Sequence, residues 1–159
     1  ASVLSEDSSR LRFVLVGDGT ERYKHTLHHI VRELGLQSRV IWTGTRSDIA
    51  AIYNALDIVV SSSHSEGFSN AVAEAMACGT PCVVTDVGDS AQIVGDAGIV
   101  IRPVSESELA GGVKSLLKLD APQKDTLSAN ARRRIEERFS IQTFYQQTEE
   151  TLRALSEVA

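Results

Sequence analysis

Apolar positions along the chain switch between two spacings. Leu11-Arg-Phe-Val-Leu-Val16 is a short apolar run closed by Gly17-Asp-Gly19, the pattern of a buried strand leaving a sheet. Over residues 21–34 the period lengthens. Tyr23, Leu27, Ile30, Val31 and Leu34 fall at three- and four-residue steps, and Gly35 supplies a helix stop. Residues 39–42 predict a second strand, 48–56 a short helix that Ser47 can cap, and 57–60 a third strand. After the polar stretch 61–67, an alanine-rich helix is predicted over 70–78, stopped by Gly79 and Pro81. Residues 82–85 and 99–101 predict the fourth and fifth strands. Residues 106–119, 123–138 and 140–158 predict three closing helices, with Ser140 able to cap the last.

Strands alternating with helices predict βαβ units, hence an α/β fold. The expected form is an open, mostly parallel, doubly wound (Rossmann-like) sheet in three αβα layers, with C-terminal helices. There is no internal repeat and no low-complexity tract. Asp120-Ala-Pro122 reads as a loop between helices, so residues 1–159 are expected to form a single domain. Ligands of such sheets bind outside the carboxyl ends of the strands, which directs attention to 17–20, 43–47 and 61–70.

Composition changes this picture little but excludes several classes. The 159 residues are 42% hydrophobic and 23% charged, a globular balance. A formal charge of −5 gives no electrostatic footprint for nucleic acid. No apolar run reaches the ~18 residues of a membrane span, and the acidic opening does not resemble a signal peptide. Cys78 and Cys82 make no disulfide framework, and both read as buried small residues. A cytoplasmic location is therefore expected.

The segment richest in chemistry is Ser65-Glu-Gly-Phe-Ser-Asn-Ala-Val-Ala-Glu-Ala-Met-Ala-Cys-Gly-Thr-Pro81. Glu66 lies in the loop after a strand, and Glu74 follows eight residues later inside the next helix. Gly67, Ser69 and Asn70 fall at the start of that helix, where backbone N–H groups and the positive helix end favour an anion. Carboxylates repel phosphate but accept well from vicinal hydroxyls. A ligand with a diphosphate in the middle and a sugar at each end suits this arrangement.

The same segment resembles the E-x7-E signature of the large retaining glycosyltransferase family with GT-B architecture, called family 4. Glu66 and Glu74 match its two acids, and Glu74-Ala-Met-Ala-Cys-Gly-Thr-Pro-Cys-Val-Val84 is similar to the run that follows them. Thr85-Asp-Val-Gly-Asp-Ser90, Ile93-Val-Gly-Asp-Ala-Gly98, Val16-Gly-Asp-Gly19, Gly44 and Ala55-Leu-Asp57 continue the likeness. The Ser69-Asn70 pair looks most like members from bacterial surface-polysaccharide pathways. The resemblance implies one half of a GT-B architecture, a donor-binding domain with a motif core over 11–104 and C-terminal helices over 105–159. It implies a hexosyl transfer with retention from a UDP- or GDP-linked sugar to a glycan or lipid-linked acceptor, with no cofactor and no obligatory metal. By position, Glu66 would hold donor-sugar hydroxyls as the catalytic-site acid, and Glu74 the ribose. Gly67, Phe68, Ser69 and Asn70 would meet sugar and diphosphate, and Thr45 and Arg46 would lie beside the base.

The likeness is incomplete at the start of the chain. The family's donor domain opens with a strand and a loop supplying an Arg and a Lys to the diphosphate, whereas residues 1–10 contain no lysine. The acceptor-binding N-terminal domain has no counterpart here. A fragment inactive alone is the expectation, and peripheral contact of the full-length protein with the inner face of the cell membrane stays open. Two alternatives are kept: a GT-B nucleotide-sugar epimerase, and a non-catalytic α/β binding or regulatory module.

Other features read blandly. Gly17-Asp-Gly-Thr-Glu-Arg22 lacks the third glycine of a dinucleotide fingerprint and reads as a turn feeding a helix. His25, His28 and His29 share helical spacing, but no carboxylate or cysteine pattern completes a metal site. Arg132-Arg-Arg134 and Arg138, set among Glu136 and Glu137, predict a solvated helix face. Phe68 reads as a hydrophobic plug under its loop. Tyr145, Leu152 and Leu155 give the last helix an apolar stripe.

Overall fold

Short apolar runs become strands, and each strand pairs in parallel with its neighbour. The computed structural model describes residues 1, 4, 10–102 and 105–156. The expected end of the last helix at 158, the motif-core boundary at 104 and most of the stretch 1–10 lie outside the described residues. β1 (Phe13–Val16) pairs with β2 (Val40–Gly44). β3 (Val59–Ser61) pairs with β4 (Cys82–Thr85), which pairs in turn with β5 (Ile99–Ile101). The parallel α/β order predicted from the sequence is present, carried by a two-stranded and a three-stranded ladder flanked by helices. The chain divides into two compact units, Ala1–Ile49 and Ala50–Ala159.

In the first unit, α1 (Glu21–Glu33) connects the two strands. Thr20 caps it, its hydroxyl accepting from the Tyr23 N–H at 3.3 Å, and Glu21 and Arg32 sit at the ends that suit their charges. The Gly17 N–H donates to the Gly44 carbonyl at 2.9 Å, so the turns after both strands are tied. α2 (Ile49–Ala55) carries the chain onward. It begins at Ile49, one residue later than the sequence pattern predicts, and runs into the second unit.

The second unit is organised around β4. All four of its residues are buried, as a parallel strand with both faces covered requires. Val83 and Val84 are fully buried, each worth about 1.5–3 kcal/mol relative to exposure. α3 (Asn70–Ala77) contributes Val72, Ala75 and Met76 to the same core, and α4 (Ser90–Val94) contributes Ile93 and Val94. The sequence pattern does not predict α4, because a helix of five residues is too short to display a period. α5 (Glu106–Leu117) packs on β4 and β5 through Gly112, where a Cβ would come within 2.9 Å of Val83 Cγ1.

α6 (Ala121–Arg138) corrects two sequence-based expectations. Asp120 and Gln123 form a reciprocal capping box, at 2.9 and 3.0 Å, and Pro122 occupies the first turn where its missing N–H has no cost. Ala121 and Pro122 are therefore helical, not part of a loop. The arginine run is also not simply a solvated face. Arg132 Nη2 donates to the Cys78 carbonyl at 3.2 Å. Arg134 donates from Nε to the Ile93 carbonyl at 2.8 Å and from Nη2 to the Gln92 carbonyl at 2.6 Å. Its side chain is only 17% exposed. These carbonyls end α3 and α4, so α6 supplies cations where helix dipoles favour them. Arg133, by contrast, bonds its own helix neighbour Asn130.

α7 (Ile141–Ser156) starts as expected, Ser140 Oγ accepting from the Thr143 N–H at 3.2 Å. None of its residues is buried, and Phe144, Tyr145, Leu152 and Leu155 stand exposed along it. Among the described residues no helix is long and apolar enough to cross a membrane.

Replacing Arg134 tests the docking of α6. Arg134→Ala leaves two carbonyls without their charged donor and is expected to cost about 2–3 kcal/mol. Arg133→Ala, on the exposed side, is expected to cost under about 0.5 kcal/mol. Urea unfolding midpoints of the two variants measure the difference.

Candidate functional site

Parallel pairing ends β3, β4 and β5 on one edge of their ladder, so the loops after β3 and β4 become neighbours. The loop after β3 carries Glu66. Its carboxylate is half-buried, and Oε1 accepts from the Ser63 hydroxyl at 2.7 Å. The Ser63 carbonyl accepts from Thr85 Oγ1 at 2.7 Å, and Thr85 is the last residue of β4. One residue further into the loop, the Gly67 carbonyl accepts from the Asp89 N–H at 3.1 Å. Gly88 makes that approach possible. It has φ +53°, and a Cβ there would overlap the Glu66 carbonyl oxygen and lie 2.5 Å from that of Gly67.

The loop then enters α3. Ser69 is the N-cap residue and is buried, yet its side chain makes no capping bond to the first-turn N–H groups of α3. Asn70 and Gly67 are exposed beside them. Glu74 sits one helical turn after Asn70, exposed, with Oε2 accepting from the Tyr53 hydroxyl at 3.3 Å. Tyr53, on α2, is itself buried, and its carbonyl accepts from the Thr80 hydroxyl at 2.8 Å. Burial first, and then the neighbouring Glu74 carboxylate, push the Tyr53 phenol up to about 12. Phe68 is 43% exposed, so it is only partly a plug, and its ring tilts against Phe139 with centroids 5.7 Å apart.

Glu66, Gly67, Phe68, Ser69, Asn70 and Glu74 thus lie on one loop-to-helix junction of the second unit. Thr45 and Arg46 belong to the first unit, after β2. Arg46 is committed to a two-pronged bond with Asp48, at 2.8 and 2.6 Å, which holds the Asp48 carboxyl below its usual range. Ser63, Tyr53 and Gly88 touch the acids or their backbone, and Thr85 holds Ser63, but none of these four is singled out for chemistry by the sequence. Thr85 carried one signal: a polar residue ending an otherwise apolar buried strand.

The three histidines do not converge. His28 lies against Trp42, with ring centroids 4.2 Å apart, and His29 Nδ1 is 3.3 Å from Glu33. Among the described residues no group of three or more His, Cys, Asp or Glu side chains is placed to hold a metal ion. A cavity of about 530 Å³ lies at the opposite, amino end of β3 and β4, beside Asp57, Cys78, Pro81 and Leu127, away from both acids. Cys82 is fully buried, which pushes its thiol up to about 12, while Cys78 is half-buried.

Tyr53 and Cys82 make stability sensitive to alkali. Both are neutral acids whose folded pKa lies above the unfolded value, so the unfolded chain releases protons first. Their contribution is complete below about pH 9 and is lost as pH rises toward about 12. Urea midpoints are expected to fall between pH 9 and 11, and Tyr53→Phe to flatten the upper part of that fall. Gly88→Ala, which forces a left-handed backbone and a clash with the Glu66 carbonyl, is expected to cost at least about 2 kcal/mol by the same measurement.

Residues 1–119 match the family described as glycosyl transferases group 1. The chain is 30% identical over 151 residues to N-acetyl-alpha-D-glucosaminyl L-malate synthase of Bacillus anthracis, covering 94% of this chain and 38% of that protein. Anabaena Alr3699/HepE in complex with UDP superposes with a TM-score of 0.86 at 30% identity, over 96% of this chain and 43% of that one. The same protein has been solved with UDP-glucose. The C-terminal domain of a glycosyl transferase group 1 family protein, LpcC from Francisella tularensis, superposes with a TM-score of 0.77 at 28% identity, over 88% of this chain and 75% of that one. The chain spans less than half the length of the first two relatives.

Proposed function

We propose that this chain, which belongs to the glycosyl transferases group 1 family, binds the nucleotide-sugar donor of a retaining, family 4 glycosyltransferase of GT-B architecture. The observation that carries the reading is the junction itself. A pinned carboxylate, Glu66, precedes a helix start to which the N-cap residue Ser69 gives no side-chain bond, and a second carboxylate, Glu74, follows one turn later. The likeness to HepE, solved with UDP and UDP-glucose, and to the LpcC C-terminal domain supports the same assignment.

In this reading Glu66 accepts from hydroxyls of the donor sugar. The backbone from Gly67 to Asn70 and the amino end of α3 face the diphosphate. Glu74, with one oxygen held by Tyr53, offers the other to the ribose. As the sugar–phosphate bond breaks, negative charge grows on the departing diphosphate, and fixed N–H dipoles stabilise it without reorganising. The reaction is hexosyl transfer with retention, with no metal required, to a glycan or lipid-linked acceptor in cell-surface polysaccharide synthesis. Acceptor binding falls to parts of the full-length protein outside this chain, which we place in the cytoplasm.

Amide NMR during titration with UDP and with GDP tests the site. Shifts are expected to cluster over residues 66–74; shifts confined to the amino end of β3 and β4 would overturn the assignment. In the full-length protein, Glu74→Ala is expected to raise the donor KM about tenfold or more, the loss of a charged acceptor for hydroxyls. An unchanged KM and turnover would remove the ribose role.

A further inference from the structure

The geometry points to Ser63 as a positioning residue for the Glu66 carboxylate, itself held in place by Thr85. The inference rests on the donor-sugar role proposed for Glu66. An ionised carboxylate only accepts, so the 2.7 Å contact fixes the Ser63 hydroxyl as donor to Glu66 Oε1. The Ser61 hydroxyl is 3.5 Å from that of Ser63, too far to compete. Ser63 in turn has its carbonyl held by Thr85 Oγ1 at 2.7 Å. Thr85 is buried at the end of the fully buried central strand, and its branched side chain is stiff about χ1. A line of two hydrogen bonds therefore runs from the fully buried strand to the acid proposed to meet the sugar.

The backbone beneath Glu66 is fixed by different atoms, the Gly67 carbonyl bonding the Asp89 N–H across Gly88. Side chain and backbone are thus restrained separately. Without Ser63 the loop keeps its path, but Glu66 regains rotamer freedom that must be lost again when donor binds. The bond also leaves Oε2 of Glu66 as the oxygen not engaged by Ser63, and so sets the direction from which a sugar hydroxyl approaches. The helix start that faces the diphosphate does not depend on this line of bonds. The effect should accordingly fall on the sugar and not on the nucleotide.

The test uses the full-length protein, donor kinetics with whichever of UDP-glucose and GDP-mannose the wild type turns over, and affinity for the matching free nucleotide. Ser63→Ala is expected to lower kcat/KM for the donor about tenfold or more while nucleotide affinity stays within about twofold. Ser63→Thr, which keeps the hydroxyl, is expected to recover most of the loss. Thr85→Val is expected to act in the same direction and to add little to Ser63→Ala, because both act on one line of bonds. Donor kinetics unchanged in Ser63→Ala, or a parallel fall in nucleotide affinity, overturns the inference; so does a Ser63→Thr variant as impaired as Ser63→Ala. Failure of the underlying reading looks different: Glu66→Gln would then turn over donor like the wild type.

Discussion

A parallel ladder obliges its strands to end on the same edge, and here the middle strand has no face to spare. β4 is buried along its length between β3 and β5, so its register with each is fixed by the core. The loops that leave β3 and β4 consequently start side by side. That adjacency lets Thr85 reach the Ser63 carbonyl and lets the Gly88 turn close over the Glu66–Gly67 peptide. Had the strands run antiparallel, the chain after β4 would leave from the other edge. The acid would then have neither its hydroxyl partner nor its backbone clamp.

The opposite ends of the helices need a matching arrangement. α3 and α4 follow β3 and β4, so their amino ends lie toward the carboxyl edge of the ladder and their last carbonyls lie toward the other. Those carbonyls would be orphans. Arg132 takes one at Cys78, and Arg134 takes two at Gln92 and Ile93. The same helix thereby braces both, and Ala131, just before Arg132, is fully buried. A C-terminal helix far from the candidate site in sequence thus supports the two helices whose amino ends border it.

The sequence made the apolar skeleton legible because burial leaves a local trace. Val83 and Val84 stand in an unbroken apolar run, and the residues of α1 recur at helical steps. Glu66 and Glu74 were legible for a related reason, since a fixed spacing within one loop and helix survives as a pattern. What was hidden depends on partners distant in the chain. Arg134 lies 41 residues from Ile93, and next to Glu136 and Glu137 it looked solvated. Pro122 looked like a break, because only the capping box around it shows that it opens a helix. Thr85 and Ser63, 22 residues apart, meet only once the strand register is known.

The charge arrangement at the junction explains why the hydroxyls of Ser63 and Tyr53 matter. The chain carries a formal −5, and two of its carboxylates flank the place proposed for a diphosphate. The net charge offers a diphosphate no general attraction. In the proposed reading, recognition comes from short contacts: N–H groups toward the phosphates, carboxylate oxygens toward the hydroxyls. Such contacts discriminate only when their direction is fixed, since a freely rotating carboxylate near a phosphate gains nothing from the sugar and repels the rest of the ligand. Ser63 on Glu66 and Tyr53 on Glu74 each restrain one oxygen of an acid. In both cases the restraining group is anchored in the buried interior, Ser63 through Thr85 and Tyr53 by its own burial, so the acids inherit their direction from the core.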